Sequence, residues 1–284
     1  VTVQRLDVAL VEAGLARSRT HARRIIDEGR ARIDGSAAVK PSTPVPPGAR
    51  LESVDVPDGV EYASRAAHKL TGALDALGID PAGTRCLDAG ASTGGFTDVL
   101  LRRAAASVAA VDIGRGQLDA RIAADPRVTV HDGTSVRGLR PETIGGAVEL
   151  TVGDLSFISL TTVLDDLARC TLPGGELLVM VKPQFEVGRS RLPRGGVVKD
   201  PRHRRDAVRG VADHAARAGL RTVGAGCSPL PGQDGNIELF LHLVHDGRAS
   251  EDASAAYDMI ESALAAAPRR TARTAADPGE AHRR

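Results

Sequence analysis

The stretch Cys86 to Leu101, "CLDAGASTGGFTDVLL", decides how the rest of this chain reads. A short apolar run ends in an acid, Asp88, and passes through the small residues Gly90 to Gly95 before apolar spacing resumes at Phe96, Val99 and Leu100. That pattern predicts a strand, a tight glycine turn and the first turns of a helix. In open α/β sheets such a junction receives a nucleotide-like ligand, because small residues let the ligand approach the backbone and the helix N-terminus.

Outward from this turn, helices alternate with short apolar strands. "RAAHKLTGALDALG" is helical before the turn; "SVAAVDIG", "RVTVHDG", "VELTVGDLSF" and "GELLVMVKP" read as strands after it, with helices in "SLTTVLDDLARC" and "RHRRDAVRGVADHAARAG". The last pair, "LRTVGAGCSPL" and "NIELFLHLVHD", are strands with no helical length between them, so they must run antiparallel. The expected fold is α/β: a mostly parallel sheet over residues 64–247 that closes on an antiparallel hairpin. Beyond it, Ala256, Met259, Ile260, Ala263 and Leu264 fit one helix in a 248–284 tail, whose end, "RRTARTAADPGEAHRR", reads as disordered.

Residues 1–57 read as a separate small α+β module. "QRLDVALVEAG" and "SRTHARRIIDEG" have helical apolar spacing, with Gly14 and Gly29 as stops and Ser18 as a cap. "RARIDGSAAVK" reads as a hairpin turning at Asp34-Gly35. "PSTPVPPGARLESVDVPDGV" is too rich in Pro and Gly for a long helix and leads into a linker at 58–63. Residues 1–50 carry nine Lys and Arg against five Asp and Glu, which from charge alone reads as a solvated helical surface.

The chain of 284 residues is 42% apolar and 26% charged, enough for a proper core. No apolar run is long enough to span a membrane, and the N-terminal "VTVQRLDVALVEAGLARSRT" has charges where a signal peptide needs its apolar core, so a cytoplasmic protein is expected. Cys86, Cys170 and Cys227 are odd in number and far apart, as in reduced thiols. His242 and His245, at an odd spacing in a strand, fall on opposite faces, and no metal site is expected.

Gly90, Gly94 and Gly95 do not form G-x-G-x-x-G, since Ser92 stands in its third position, which weakens a dehydrogenase reading. Asp112 closes the next strand about 20 residues on, where a carboxylate can hold a ribose diol. Asp88 beside the turn would repel a diphosphate but attract the sulfonium and amino group of S-adenosylmethionine. "DAGASTGGF", "VDIG" and "HDG" resemble the first three cofactor loops of Rossmann-like methyltransferases. That resemblance puts the methionine part of the donor on Gly90, Ala91, Ser92, Thr93, Gly94, Gly95 and Phe96, the ribose on Asp112 and the adenine edge on Asp132.

Four polar residues stand where helices or strand ends should deliver packing: Lys69, Asp154, Lys182 and Glu238. In this order they resemble the tetrad of FtsJ-like ribose 2'-O-methyltransferases. A ribose hydroxyl is too weak an acid to attack at neutral pH, so it must lose its proton as the methyl moves, and a nearby amine can take it. Lys182 is the candidate for that role, with Lys69 as a second positive charge, Asp154 orienting Lys182 and Glu238 fixing the lysines. In such a set, carboxylates favour the ammonium, while burial and a second lysine favour the free amine.

The N-terminal module resembles the S-four-type RNA-binding domain, and that resemblance places Arg5, Arg17, Arg19, Arg23 and Lys40 on an RNA-facing surface. Guanidinium groups suit this task, since they pair bidentately with phosphates and release counterions. The whole order, with "SRAAHKL", "GDLSFISL", "VKPQFEVGR" and "GGVVKDPRHR", resembles the TlyA family of rRNA methyltransferases, some of whose members carry the name haemolysin. The resemblance implies methylation of a cytidine 2'-hydroxyl in 16S and, in many members, 23S rRNA within ribosomal subunits. The chain has no Trp, so the linker tryptophan of some relatives has no counterpart.

Arg65 and the loop residues Arg189, Arg191, Arg194 and Lys199 add to the expected RNA surface, with the loop read as mobile. Phe157 and Phe185 are candidates for base stacking, with core packing the alternative. Two rival functions stand beside methyl transfer: a membrane-active haemolysin, for which no amphipathic segment stands out, and a non-catalytic ribosome-binding protein, against which the intact tetrad argues.

Overall fold

The computed structural model describes residues 4–27, 29–38, 40–54, 62–188, 190–232, 234–249 and 252–267. Of the expected linker, residues 58–61 lie outside them, as do residues 268–284 of the tail and Arg189.

The N-terminal elements are β1 (Gln4–Arg5), α1 (Leu6–Glu12), α2 (Arg19–Asp27), β2 (Ala31–Ile33), β3 (Ser36–Ala37), β4 (Pro44–Val45) and β5 (Leu51–Ser53). Leu6, Leu10, Ile25 and Ile26, spaced for one face of each helix, are at most 1% exposed and share a core with Ala31 and Val45. Ser18 Oγ accepts the His21 N–H and so caps α2. β2 pairs antiparallel with β3 and β5. Asp34 and Gly35 both have positive φ, as the tight hairpin turn requires.

The larger unit contains α3 (Ala66–Leu77), β6 (Arg85–Ala89), α4 (Gly95–Arg102), β7 (Ser107–Asp112), α5 (Ala120–Ala123), β8 (Val128–Asp132), β9 (Val148–Gly153), α6 (Leu164–Cys170), β10 (Thr171–Val181), α7 (Pro183–Glu186), α8 (Pro201–Arg217), β11 (Leu220–Cys227), β12 (Leu239–His245) and α9 (Ser254–Ala265). Seven strands form one sheet in the order β11-β12-β10-β9-β6-β7-β8. β10, β9, β6, β7 and β8 are parallel, and β12 is antiparallel to both β10 and β11. The expected terminal hairpin is therefore present, with β12 inserted between β10 and β11.

Both faces of the sheet are buried, which is why its strands read as apolar runs. Leu87, Val111, Val179 and Leu241 point to the side covered by α6, α8 and α9. Their alternates Cys86, Val152, Leu178 and Phe240 point to α3 and α4. Gly95 allows the close approach of those two helices, because a Cβ there would collide with Ser64 Oγ. The predicted helix at 159–170 divides into a 3-10 turn, Leu160–Thr162, and α6.

From β6 the chain first builds β7 and β8 on one side, then crosses over to β9 and β10 on the other. The reversal opens a crevice outside the carboxyl ends of β6 and β9. Every strand-end residue singled out above sits at that end of the sheet. Because β12 runs the other way, it is its N-terminal end, beside Glu238, that meets the same crevice.

Candidate active site

The glycine turn forms the floor of the crevice. Gly90 has φ +88°, and a Cβ there would lie 3.1 Å from Leu155 Cδ2 and 3.2 Å from the Asp154 carbonyl. Gly94 has φ +93°, and a Cβ would come within 2.8 Å of Leu118 and Ile122. Both positions thus need glycine for conformation and for space. Ser92 also adopts positive φ (47°), and its N–H donates to Asp112 Oδ2 at 2.8 Å. Asp112 Oδ1 accepts the Gly114 N–H at 2.6 Å, so this acid ties two loops together while each oxygen keeps a lone pair. Asp132 Oδ2 accepts the Gly116 N–H at 2.7 Å and caps the loop after β7. Ile113, between Asp112 and Gly114, is 76% exposed and went unremarked in the sequence.

Asp88 is fully buried on the α4 side of the sheet. Thr97 Oγ1 donates to its Oδ2 at 2.6 Å, and Oδ1 has no hydrogen-bond partner. Burial pushes its carboxyl up to about 7; the Thr97 hydroxyl opposes the rise and the nearby Asp154 charge adds to it.

The four tetrad candidates come together as two ion pairs. Lys69, on α3, donates to Glu238 Oε2 at 2.6 Å; the residues are 9% and 3% exposed. Lys182 Nζ lies 2.7 Å from Asp154 Oδ1 and donates to Ser156 Oγ at 2.7 Å. Val181 pairs with Leu239 across β10 and β12, so Lys182 and Glu238 follow one rung further on, at neighbouring positions. Glu238, expected to fix both lysines, engages Lys69, and Ser156 takes a place on Lys182 that the sequence reading did not foresee.

Beside this cluster Phe157 has φ +63° and is 92% exposed, packing its ring 5.3 Å from that of Phe185. Core packing is thereby ruled out for Phe157. The loop after Lys182 is tied at its far end, where Asn236, 1% exposed, accepts the Val198 N–H at 2.9 Å and donates to the Gly196 carbonyl at 2.9 Å. Arg65 donates to the Pro231 carbonyl at 2.8 Å, bracing the loop that leads into Glu238.

In the N-terminal module Arg5 and Arg19 both grip Asp7, at 2.9 Å each, while their side chains remain 48% and 63% exposed. The Arg5 hydrogen bond, with Arg19 assisting against burial, holds the Asp7 carboxyl at about 2. Arg17, Arg23 and Lys40 are exposed. His242 meets Glu176 Oε2 at 2.6 Å and His245 the Thr171 carbonyl at 2.9 Å.

A seven-stranded sheet with one reversed strand, a glycine turn after the first of its strands in chain order and an acid closing the next define the Rossmann-like methyltransferase class. An FtsJ-like methyltransferase family model matches residues 62–245, and an S4 domain model matches residues 4–51. The 16S/23S rRNA (cytidine-2'-O)-methyltransferase TlyA of Mycobacterium tuberculosis is 49% identical over 93% of this chain and 98% of its own length. Hemolysin A of Brachyspira hyodysenteriae is 32% identical, over 84% of this chain and 99% of its own. A solved structure from Streptococcus thermophilus with a provisional hemolysin name superposes with a TM-score of 0.72 at 31% identity, covering 92% of this chain and 95% of that one. The chain belongs to the FtsJ-like methyltransferases, in the TlyA family with its N-terminal S4 domain.

Proposed function

We propose that this chain transfers a methyl group from S-adenosylmethionine to the 2'-hydroxyl of a cytidine in rRNA of ribosomal subunits, in the cytoplasm. The observation that carries the reading is the pair of lysine–acid contacts, the buried Lys69 with Glu238 and Lys182 with the partly buried Asp154, beside a glycine cradle. The 49% identical relative supports cytidine in 16S and 23S rRNA as the target class.

The cradle fits such a donor. Asp88 offers a buried oxygen with no partner, Asp112 has lone pairs to spare for a diol, and Ile113 presents apolar surface next to it. Gly90 through Phe96 would hold the methionine part and Asp132 the adenine edge. When bound, the donor supplies an electrophilic methyl on a positively charged sulfur. In this reading Lys182 Nζ takes the proton from the attacking ribose hydroxyl, which it must do as a free amine. Asp154 holds the resulting ammonium by charge, and Lys69, fixed by Glu238, adds positive potential where the sugar oxygen becomes negative. Phe157 offers an open face on which a base can stack.

The division of labour follows the chain order. Residues 1–57 supply arginines for the rRNA backbone, among them Arg5, Arg17, Arg19 and Arg23, and residues 64–247 carry the chemistry. Incubating purified subunits with labelled donor, then digesting the rRNA to nucleosides, is expected to yield label in 2'-O-methylcytidine. Label in base-methylated nucleosides, or none, contradicts the reading. Among the described residues no helix is long and apolar enough to cross a membrane. Dye release from liposomes by the purified chain would favour the haemolysin alternative instead.

A further inference from the structure

Charge alone does not aim an amine. Asp154 Oδ1 lies 2.7 Å from Lys182 Nζ, yet that oxygen makes no aligned hydrogen bond. The aligned bond from Nζ, also 2.7 Å long, runs to Ser156 Oγ. Coulomb attraction depends on separation and tolerates many approach directions, whereas a hydrogen bond weakens steeply off its axis. We infer that Ser156 is a positioning residue for the methyl transfer: its hydroxyl sets the direction of Lys182 Nζ while Asp154 supplies the charge. The inference rests on the reading of Lys182 as proton acceptor.

The chemistry of the hydroxyl suits the task. An ionised carboxylate only accepts hydrogen bonds, but a serine hydroxyl can accept from an ammonium and, by rotating, donate to a free amine. Ser156 can therefore hold Nζ both before and after the ribose proton arrives. The carboxylate's hold is strong only afterwards, because a free amine offers it a neutral N–H in place of a charged one.

The loop that carries Ser156 is fixed to the segment that carries Lys182 at three points. Ser156 meets Lys182 at one end. In the middle the Phe157 and Phe185 rings pack at 5.3 Å. At the other end Glu186, four residues after Lys182, accepts the Ser159 hydroxyl at 2.5 Å and the Leu160 N–H at 2.9 Å. Burial raises the Glu186 carboxyl, with those two donors opposing the rise. Residues 154–160 and 182–186 are thus tied together as one block, from which the Phe157 ring, on a backbone of positive φ, stands out exposed. Ser156 itself is exposed rather than built into the core, so removal of its hydroxyl leaves the other two ties of the block, through Phe157 and Glu186, in place.

The test is transfer to ribosomal subunits by the full chain, with kcat and KM resolved and donor affinity measured by calorimetry. Ser156→Ala is expected to lower kcat about tenfold, the scale of one directional hydrogen bond, with KM for subunits and donor affinity unchanged. Ser156→Thr, which keeps the hydroxyl, is expected to restore kcat to within about threefold of wild type. In a Lys182→Ala background Ser156→Ala should cost nothing further, because a residue that acts through another has no effect once that partner is gone. Wild-type kcat in Ser156→Ala, a loss confined to KM, or a full additional tenfold loss on Lys182→Ala would each overturn the inference. Absence of transfer by the wild-type chain would instead overturn the functional reading on which it rests.

Discussion

Asp7 in the N-terminal module and Asp88 under the glycine cradle are both shut off from solvent, and their carboxyls lie at opposite ends of the range. Asp7 is held at about 2 by Arg5 and Arg19, whose side chains still reach water, so the pairing is shallow. Asp88 lies deep, with one neutral donor and a second acid nearby, and burial takes it to about 7. Loss of contact with water therefore does not by itself decide what a carboxylate becomes; depth and the sign of its neighbours do. In the module, charge organises the arginine surface. Under the glycine cradle, one carboxylate oxygen is left without a hydrogen-bond partner.

The largest effect that would sharpen this contrast comes from the deepest ion pair. Glu238→Gln leaves the Lys69 ammonium buried without a counter-charge, which is expected to cost about 3 kcal/mol of stability, read by denaturant unfolding of the full chain. Asp7→Asn should cost only about 1–2 kcal/mol, since its arginines can return to water. Equal costs would break the distinction between shallow and deep pairing.

A second contrast lies in pH. Asp88 has a folded value raised above its ordinary 3.8, so its contribution to stability is full below pH 4 and is lost as pH rises through about 7. Asp7 is depressed, so its contribution is present above pH 4 and is lost as pH falls toward 2. Melting temperatures from pH 3 to 8 should flatten between 4 and 7 in Asp88→Asn, and change shape only at the acid end in Asp7→Asn. A common window for both variants would contradict the assignment.

The smallest effects concern single arginines. Arg19→Ala and Arg23→Ala should each reduce the salt slope of RNA binding by about 1, as loss of one phosphate contact does. Arg19→Ala should also remove part of the acid-range stability that Asp7 provides, while Arg23→Ala should not. Unaltered salt slopes in both would remove these residues from the RNA face.

Much of this was legible locally. The glycine turn, the strand ends and the antiparallel hairpin are written in contiguous stretches, because a period of two, a change to helical spacing and a run of small residues each act over a few neighbours. The helices α5 and α7, of four residues each, are too short to show any period. Ser156 and Glu186 stayed hidden for another reason: their partners lie 26 or 27 residues away and depend on the register between two loops. Asn236, which binds Val198 and Gly196 across 38 and 40 residues, is a similar case. The grip of Arg5 and Arg19 on Asp7 was missed because a surface reading treats charges as facing water, whereas here a buried acid turns two of them partly inward.

The most direct test of the central claim, that Lys182 between Asp154 and Ser156 takes the ribose proton, is single-turnover methyl transfer with saturating ribosomal subunits and donor. Saturation removes any contribution from the arginine surface. Lys182→Ala is expected to slow the transfer by about 10²- to 10⁴-fold, the range of a lost general base, while Arg23→Ala matches the wild-type rate. A Lys182→Ala chain that transfers methyl at the wild-type rate would contradict the account.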